Sequence, residues 1–159
     1  MAETKTPSGG SQDGRSQLDL TLFAEGMQRN PDGVWRGRST EPVSYPAAGN
    51  RTCYALEDGS FWFAHRNACL LALFQRFPTS GPFFDIGGGN GFVAAALQSE
   101  RGIPVVLVEP GADGVRHAQA RGLRTVAQAT LKEAQKAQQR LADHQEGRVP
   151  GSGVGAVDK

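Results

Sequence analysis

The chain has 159 residues, 17 of them Lys or Arg and 16 Asp or Glu, for a net charge of +1. That length suits one domain of ordinary size, and the balanced charge excludes an electrostatic argument for nucleic acid or an anionic membrane as partner. No apolar run reaches the roughly 18 residues of a membrane span, the N-terminus lacks the apolar stretch of a secretory signal, and Cys53 and Cys69 are too few for a disulfide scaffold, so two reduced thiols in a cytoplasmic setting are expected.

In chain order, residues 1–17 are polar and poor in bulky apolar side chains and read as disordered. Residues 18–64 form a lead-in. Leu18, Leu22 and Met27 suit a short helix over 18–29, and residues 30–50, rich in Pro and Gly, read as irregular. "RTCYAL" and "FWF" are β-prone runs on either side of "EDGS", the pattern of a hairpin around an Asp-Gly turn.

The main domain is expected over 65–134. Leu70, Leu71, Phe74 and Phe77 recur at helical spacing over 65–77, and Pro78 stops that helix. "GPFFDI" reads as a strand, and "NGFVAAALQSER" as a helix ending at Gly102 with Pro104 just beyond. "IPVVLVE" is an uninterrupted valine-rich run, as in a strand buried on both faces. "ADGVRHAQAR" is a further helix closed by Gly122, on which Arg116 and His117 are expected to face solvent. "LRTVAQA" is a weaker third strand. Strand, helix, strand, helix, strand over 81–128 is the pattern of a parallel sheet with right-handed crossovers. Residues 135–159 read as an atypical tail. "LKEAQKAQQRLADHQEG" favours helix by propensity, but with only Leu131 and Leu141 as large apolar residues it has little to bury, and the Gly-rich end reads as disordered.

"FFDIGGGNGF", residues 83–92, carries the functional signal. Four glycines, Gly87, Gly88, Gly89 and Gly91, stand within five positions where a strand ends and a helix begins. Backbone N–H groups at a helix start are unsatisfied, and a loop without Cβ atoms lets a ligand pack directly on them. In open parallel sheets, ligands bind at the carboxyl ends of the strands. Glu109 closes the second strand 18 residues after Gly91. A carboxylate there can accept hydrogen bonds from both hydroxyls of a ribose. Asp85 could cap the following helix, contact the ligand, or do both. A bare strand-to-helix turn without a ligand is the competing reading, and Glu109 weighs against it.

These residues together resemble a class I S-adenosylmethionine-dependent methyltransferase (type 11/12-like) over roughly 43–134. "FFDIGGGNGF" matches that family's first motif and "VVLVEPG" its second, and the upstream "DGSFWFAHRN" resembles an aromatic-basic segment of one bacterial subgroup. The resemblance implies an α/β fold, a Rossmann-like three-layer α/β/α sandwich with a parallel sheet, and S-adenosyl-L-methionine as cofactor. It implies that Asp85, Gly87, Gly89 and Gly91, with Gly88 and Asn90 between them, lie along the methionine end of that cofactor. Glu109 would bind the ribose, Pro110 and Gly111 would flank the adenine, Glu133 would face the adenine amino group, and Arg66 or Asn67 would reach the cofactor carboxylate.

The family's sheet has seven strands in the order 3-2-1-4-5-7-6, and this chain supplies only the first three. No run suited to the fourth follows Ala134, so an incomplete sheet is expected, from a truncated, frame-shifted or naturally partial chain, with an open edge through which it could self-associate. The implied reaction is methyl transfer to an unidentified acceptor, weak or absent in this chain alone. A non-catalytic adenosyl-cofactor-binding module is one alternative. An NAD-dependent oxidoreductase is another, disfavoured because Phe92 stands where its fingerprint needs a glycine. Cys53, His65 and Cys69 invite a metal reading, with His65 and Cys69 at i and i+4. A structural zinc takes four ligands and Cys53 is distant, so no metal is expected.

Overall fold

The computed structural model describes residues 26–39 and 46–145. Strand β1 (Gln28–Arg29) and strand β2 (Trp35–Arg36) form a short antiparallel hairpin. Its turn is built by the side chain of Asp32, which accepts the Val34 N–H at 3.1 Å, and by Gly33 at φ +81°, a left-handed position natural to glycine. Helices α1 (Ala47–Glu57) and α2 (Phe61–Arg76) follow. Then come β3 (Phe83–Ile86), α3 (Phe92–Arg101), β4 (Val105–Val108), α4 (Ala112–Ala120), β5 (Val126–Gln128) and α5 (Leu131–Gln145).

The alternation expected over 81–128 is present, and all its strands pair in parallel: β3 with β4, and β4 with β5. The sheet runs β1-β2-β5-β4-β3, mostly parallel, with β1 alone antiparallel. The protein is therefore of α/β class.

Three expectations fail in the lead-in. The hairpin read in "RTCYAL" and "FWF" is instead the end of α1 and the start of α2, and α2 begins at Phe61 rather than residue 65. β-propensity describes side chains that fit a half-buried pleated surface, so context overrides it. Here Phe63 packs edge-on against Phe92 at 6.0 Å, and Asn67 and Leu71 are buried on the same helix. Phe63, Asn67 and Leu71 recur every four residues, so a helix turns all three inward. The second failure concerns 18–29. Residues 18–25 lie outside the described residues, and Gln28–Arg29 is strand, not helix. Likewise residues 30–50 contain strand β2 and the first turn of α1.

Each face of the sheet carries a core. β4 is buried along its whole length and alternates between them. Val105 and Leu107 face Leu71 of α2, Ala94 and Leu97 of α3, and Val115 and Ala118 of α4. Val106 and Val108 face Trp35, Ala127 and, from α5, Ala134 and Ala137. The tail helix thus docks through alanines, which let it lie close to the sheet, and not through Leu131, which is exposed. β3 ends the sheet. Its Phe83 N–H and the following Gly87 N–H bond to Pro104 and Val108 across β4 at 2.8 Å each. Phe84 and Ile86 therefore turn their backbone groups away from β4, and no strand among the described residues pairs with that edge.

Glu133 locks α5 onto the hairpin. Its carboxylate accepts the Thr130 N–H and hydroxyl, both at 2.9 Å, and the Ser39 N–H at 3.1 Å. Burial opposes its ionisation, yet the hydrogen bonds from Thr130, Ser39 and the Arg38 backbone hold its carboxyl below the ordinary value. A depressed carboxyl stabilises the fold above the unfolded-state pKa and loses that contribution as pH falls through the folded value. Glu133→Gln is expected to cost about 1–2 kcal/mol near neutrality. The gap to the parent chain should narrow below the ordinary value of 4.5. Urea titrations at pH 7 and at a pH well below 4.5 check this, and a gap that stays constant would place the stabilisation elsewhere.

Candidate functional site

The glycine loop leaves the carboxyl end of β3 and enters α3. Gly87, Gly89 and Gly91 all have positive φ, at 72°, 56° and 74°. L-residues with a side chain avoid that region at about 1–2 kcal/mol each. The glycines divide by what a side chain would meet. A Cβ on Gly91 would come within 2.6 Å of Leu123 Cδ1, and one on Gly88 within 2.7 Å of the Asp85 carboxyl. A Cβ on Gly87 would meet nothing within 4 Å, and one on Gly89 only Asn50 Oδ1 at 3.9 Å. Gly88 and Gly91 are small because the protein packs on them, whereas Gly87 and Gly89 face open space.

That space is a cleft of about 530 Å3, within the size range of small-molecule sites. It brings together Arg66, Asp85, Gly87, Gly88, Gly89, Asn90, Glu109 and Pro110. Gly91, Gly111 and Asn67, also expected in that site, are not among the residues that line it. Glu133 lines a separate cavity of about 230 Å3 with Thr130 and Ser39, which meets the cleft only at Pro110.

Glu109 follows the last residue of β4 and is only 6% exposed. One carboxylate oxygen accepts the Gly89 N–H at 3.0 Å, the other the Gly111 N–H at 2.7 Å. It thereby ties the glycine loop to the loop after β4. Each oxygen keeps a further lone pair, so the group can still accept from a ligand.

Asp85 sits on β3 rather than at a helix start. The N-cap of α3 is Gly91, and no side chain caps it, so the capping role is overturned. Asp85 Oδ2 is instead buried with no hydrogen-bond partner, as is Arg66 Nε on α2. Burial pushes the Asp85 carboxyl above its ordinary value; Arg66 opposes that shift and Glu109 adds to it. Arg66 is held by the rings beneath its guanidinium, Phe63 at 5.2 Å and Trp62 at 5.9 Å. Asn67, its neighbour, donates to Phe92 O at 3.1 Å, leaves its Oδ1 buried without a hydrogen-bond partner, and does not line the cleft.

Asn90 is buried and its side chain is fully engaged. Its Nδ2 donates to Asn50 O at 2.9 Å and to Glu57 at 3.2 Å, and its Oδ1 lies 2.8 Å from His117 Nδ1. An amide oxygen only accepts, so His117 carries its proton on Nδ1. His117 also stacks on Tyr54 at 4.0 Å. Burial and then Arg116 hold its pKa below the ordinary value. His117 is thus half-buried against Tyr54 of α1 rather than fully solvated as expected, while Arg116 is exposed and pairs with Asp113.

Sequence reasoning missed the wall that α1 builds. Asn50, Cys53 and Glu57 line the cleft from that helix, joined by Phe63 of α2 and by Phe92 and Val93 of α3. Their spacing, i, i+3, i+7, marks one helical face and is a signal only once α1 is known to be helical. Among the described residues no group of three or more His, Cys, Asp and Glu could hold a metal ion, and no helix is long and apolar enough to cross a membrane. No protein-family model matches the chain, and no curated protein matches it.

Proposed function

We propose that this chain binds S-adenosylmethionine and belongs to a methyl-transferring enzyme acting on an unidentified acceptor. The observation that carries the reading is the bond from the Gly89 N–H to Glu109. It joins a glycine loop open to a cleft with a carboxylate at the next strand's end, at the carboxyl edge of a parallel sheet. Numbered from the glycine-loop strand, the order β5-β4-β3 corresponds to 3-2-1. With helices on both faces, it is consistent with half of a Rossmann-like three-layer sandwich. Two cysteines outside any disulfide suit a cytoplasmic setting.

The residues fit the cofactor chemically. Glu109 would accept from ribose hydroxyls, the loop amides would meet polar groups along the methionine end, and Pro110 would offer an apolar surface to the adenine. Asp85 and Arg66, each with a buried unpartnered atom, are of opposite charge and would pair with the ammonium and carboxylate of an amino acid. The cofactor, when bound, supplies a methyl group on a sulfonium that is already a good electrophile. The protein's share is then alignment and exclusion of water, for which α1 and Phe63 form a wall. Phe92 in place of the last fingerprint glycine disfavours NAD. The unpaired edge of β3 favours a second reading, a binding module without turnover, since no strand among the described residues pairs with that edge to border an acceptor.

Calorimetric titration with S-adenosylhomocysteine and with NAD tests the proposal. S-adenosylhomocysteine is expected to bind the more tightly, and Glu109→Ala to weaken it by about 1.5–3 kcal/mol. Tighter binding of NAD would overturn the cofactor assignment. Unchanged affinity in folded Glu109→Ala would remove that residue from the site.

A further inference from the structure

The exposed face of α2 lies outside the cleft. Phe61 is 83% exposed, Trp62 64% and Leu73 54%. At 3.6 residues per turn, Phe61, Trp62, His65, Cys69 and Leu73 fall on one arc of roughly 120°. His65 and Cys69, both exposed, lie within it. Their Sγ and Nε2 atoms are 3.7 Å apart. Zinc binds thiolate at about 2.3 Å and imidazole at about 2.0–2.1 Å, and two such bonds at a tetrahedral angle hold sulfur and nitrogen about 3.6 Å apart. The pair is therefore spaced to chelate one soft cation through Cys69 Sγ and His65 Nε2. Phe61 stacks on the His65 ring at 5.6 Å and steadies it.

One copy offers only these two ligands, since no described group reaches three, whereas a closed zinc site takes four. A two-fold axis through the cation would present the same pair again. An antiparallel crossing of two α2 helices, centred between His65 and Cys69, would set Leu73 of each copy opposite Phe61 of the other. That arrangement would bury the exposed aromatic face.

We propose that this face is a homodimer surface closed by one soft divalent cation, held by His65 and Cys69 of each copy in an N2S2 set. Binding releases the Cys69 thiol proton to solvent and leaves the His65 proton on Nδ1.

The test is addition of Zn2+ to metal-free protein in a phosphine reductant, followed by sedimentation equilibrium. The expected result is a doubling of mass that saturates at one Zn2+ per two chains and reverses with EDTA. Cys69→Ser and His65→Gln should each abolish the doubling while melting like the parent chain in EDTA, and Cys53→Ser should retain it. One Zn2+ per chain with no change in mass, no binding at all, or doubling that survives Cys69→Ser would each overturn the proposal.

Discussion

Arg121→Ala is expected to destabilise the protein by about 3–5 kcal/mol, the cost of removing one partner from a buried ion pair. Arg121 and Glu57 meet at 3.1 Å with side chains only 12% and 7% exposed. The guanidinium also bonds Asp58 at 2.7 Å and sits 4.7 Å from the Tyr54 ring and 4.9 Å from the Phe92 ring. Alanine removes all four contacts and leaves Glu57 buried with Asn90 Nδ2 as its remaining donor. The contacts join the end of α1 to the end of α4, so their loss should also loosen the cleft wall. Arg121→Lys should recover only part of the stability, because an ammonium makes neither the forked pair of bonds nor the flat stacking contact. Urea denaturation measures both. A loss below about 1 kcal/mol for alanine would mean that the pair behaves as a solvated surface bridge.

Gly91→Val is expected to cost about 2–6 kcal/mol, combining backbone strain of about 1–3 with overpacking of about 1–3. The residue caps α3 at φ 74°, and any Cβ would press on Leu123 Cδ1 at 2.6 Å and Ala118 Cβ at 3.0 Å. Gly89→Ala separates folding from binding. Its Cβ meets no atom closer than 3.9 Å, so the change costs only the strain at φ 56°, about 1–2 kcal/mol. It projects into the cleft, however, and should remove most of the affinity for S-adenosylhomocysteine. Thermal melts and titrations on the two variants decide the matter. If Gly89→Ala melted near the parent and still bound with parental affinity, the loop would be a packing turn and no ligand cradle.

The parallel core was legible because its signals are local. The apolar run Val105–Val108 announced a strand covered on both faces, and Gly102 ended α3 in the left-handed conformation expected of a glycine after a helix. The loop and Glu109 were legible for the same reason, since a Cβ-free turn and a strand-end carboxylate each stand out in one dimension. What could not be read was whatever depends on a distant partner. β1 and β2 are two residues each and exist as strands because β2 pairs with β5, some 90 positions later.

The helical state of 47–57 and 61–63 was hidden by β-prone aromatics, and with it the whole α1 wall. Asn90 read as a ligand contact within the loop, yet its side chain serves α1 and α4. Glu133 read as an adenine neighbour, yet it caps its own helix and clamps residue 39. Sequence by itself determined the order and direction of the central elements and the glycine–carboxylate pair, because periodicity and glycine act within a few residues. Tertiary structure alone decided which polar side chains remain free for a ligand, because a carboxylate or amide is available only where no distant backbone or helix has already satisfied it.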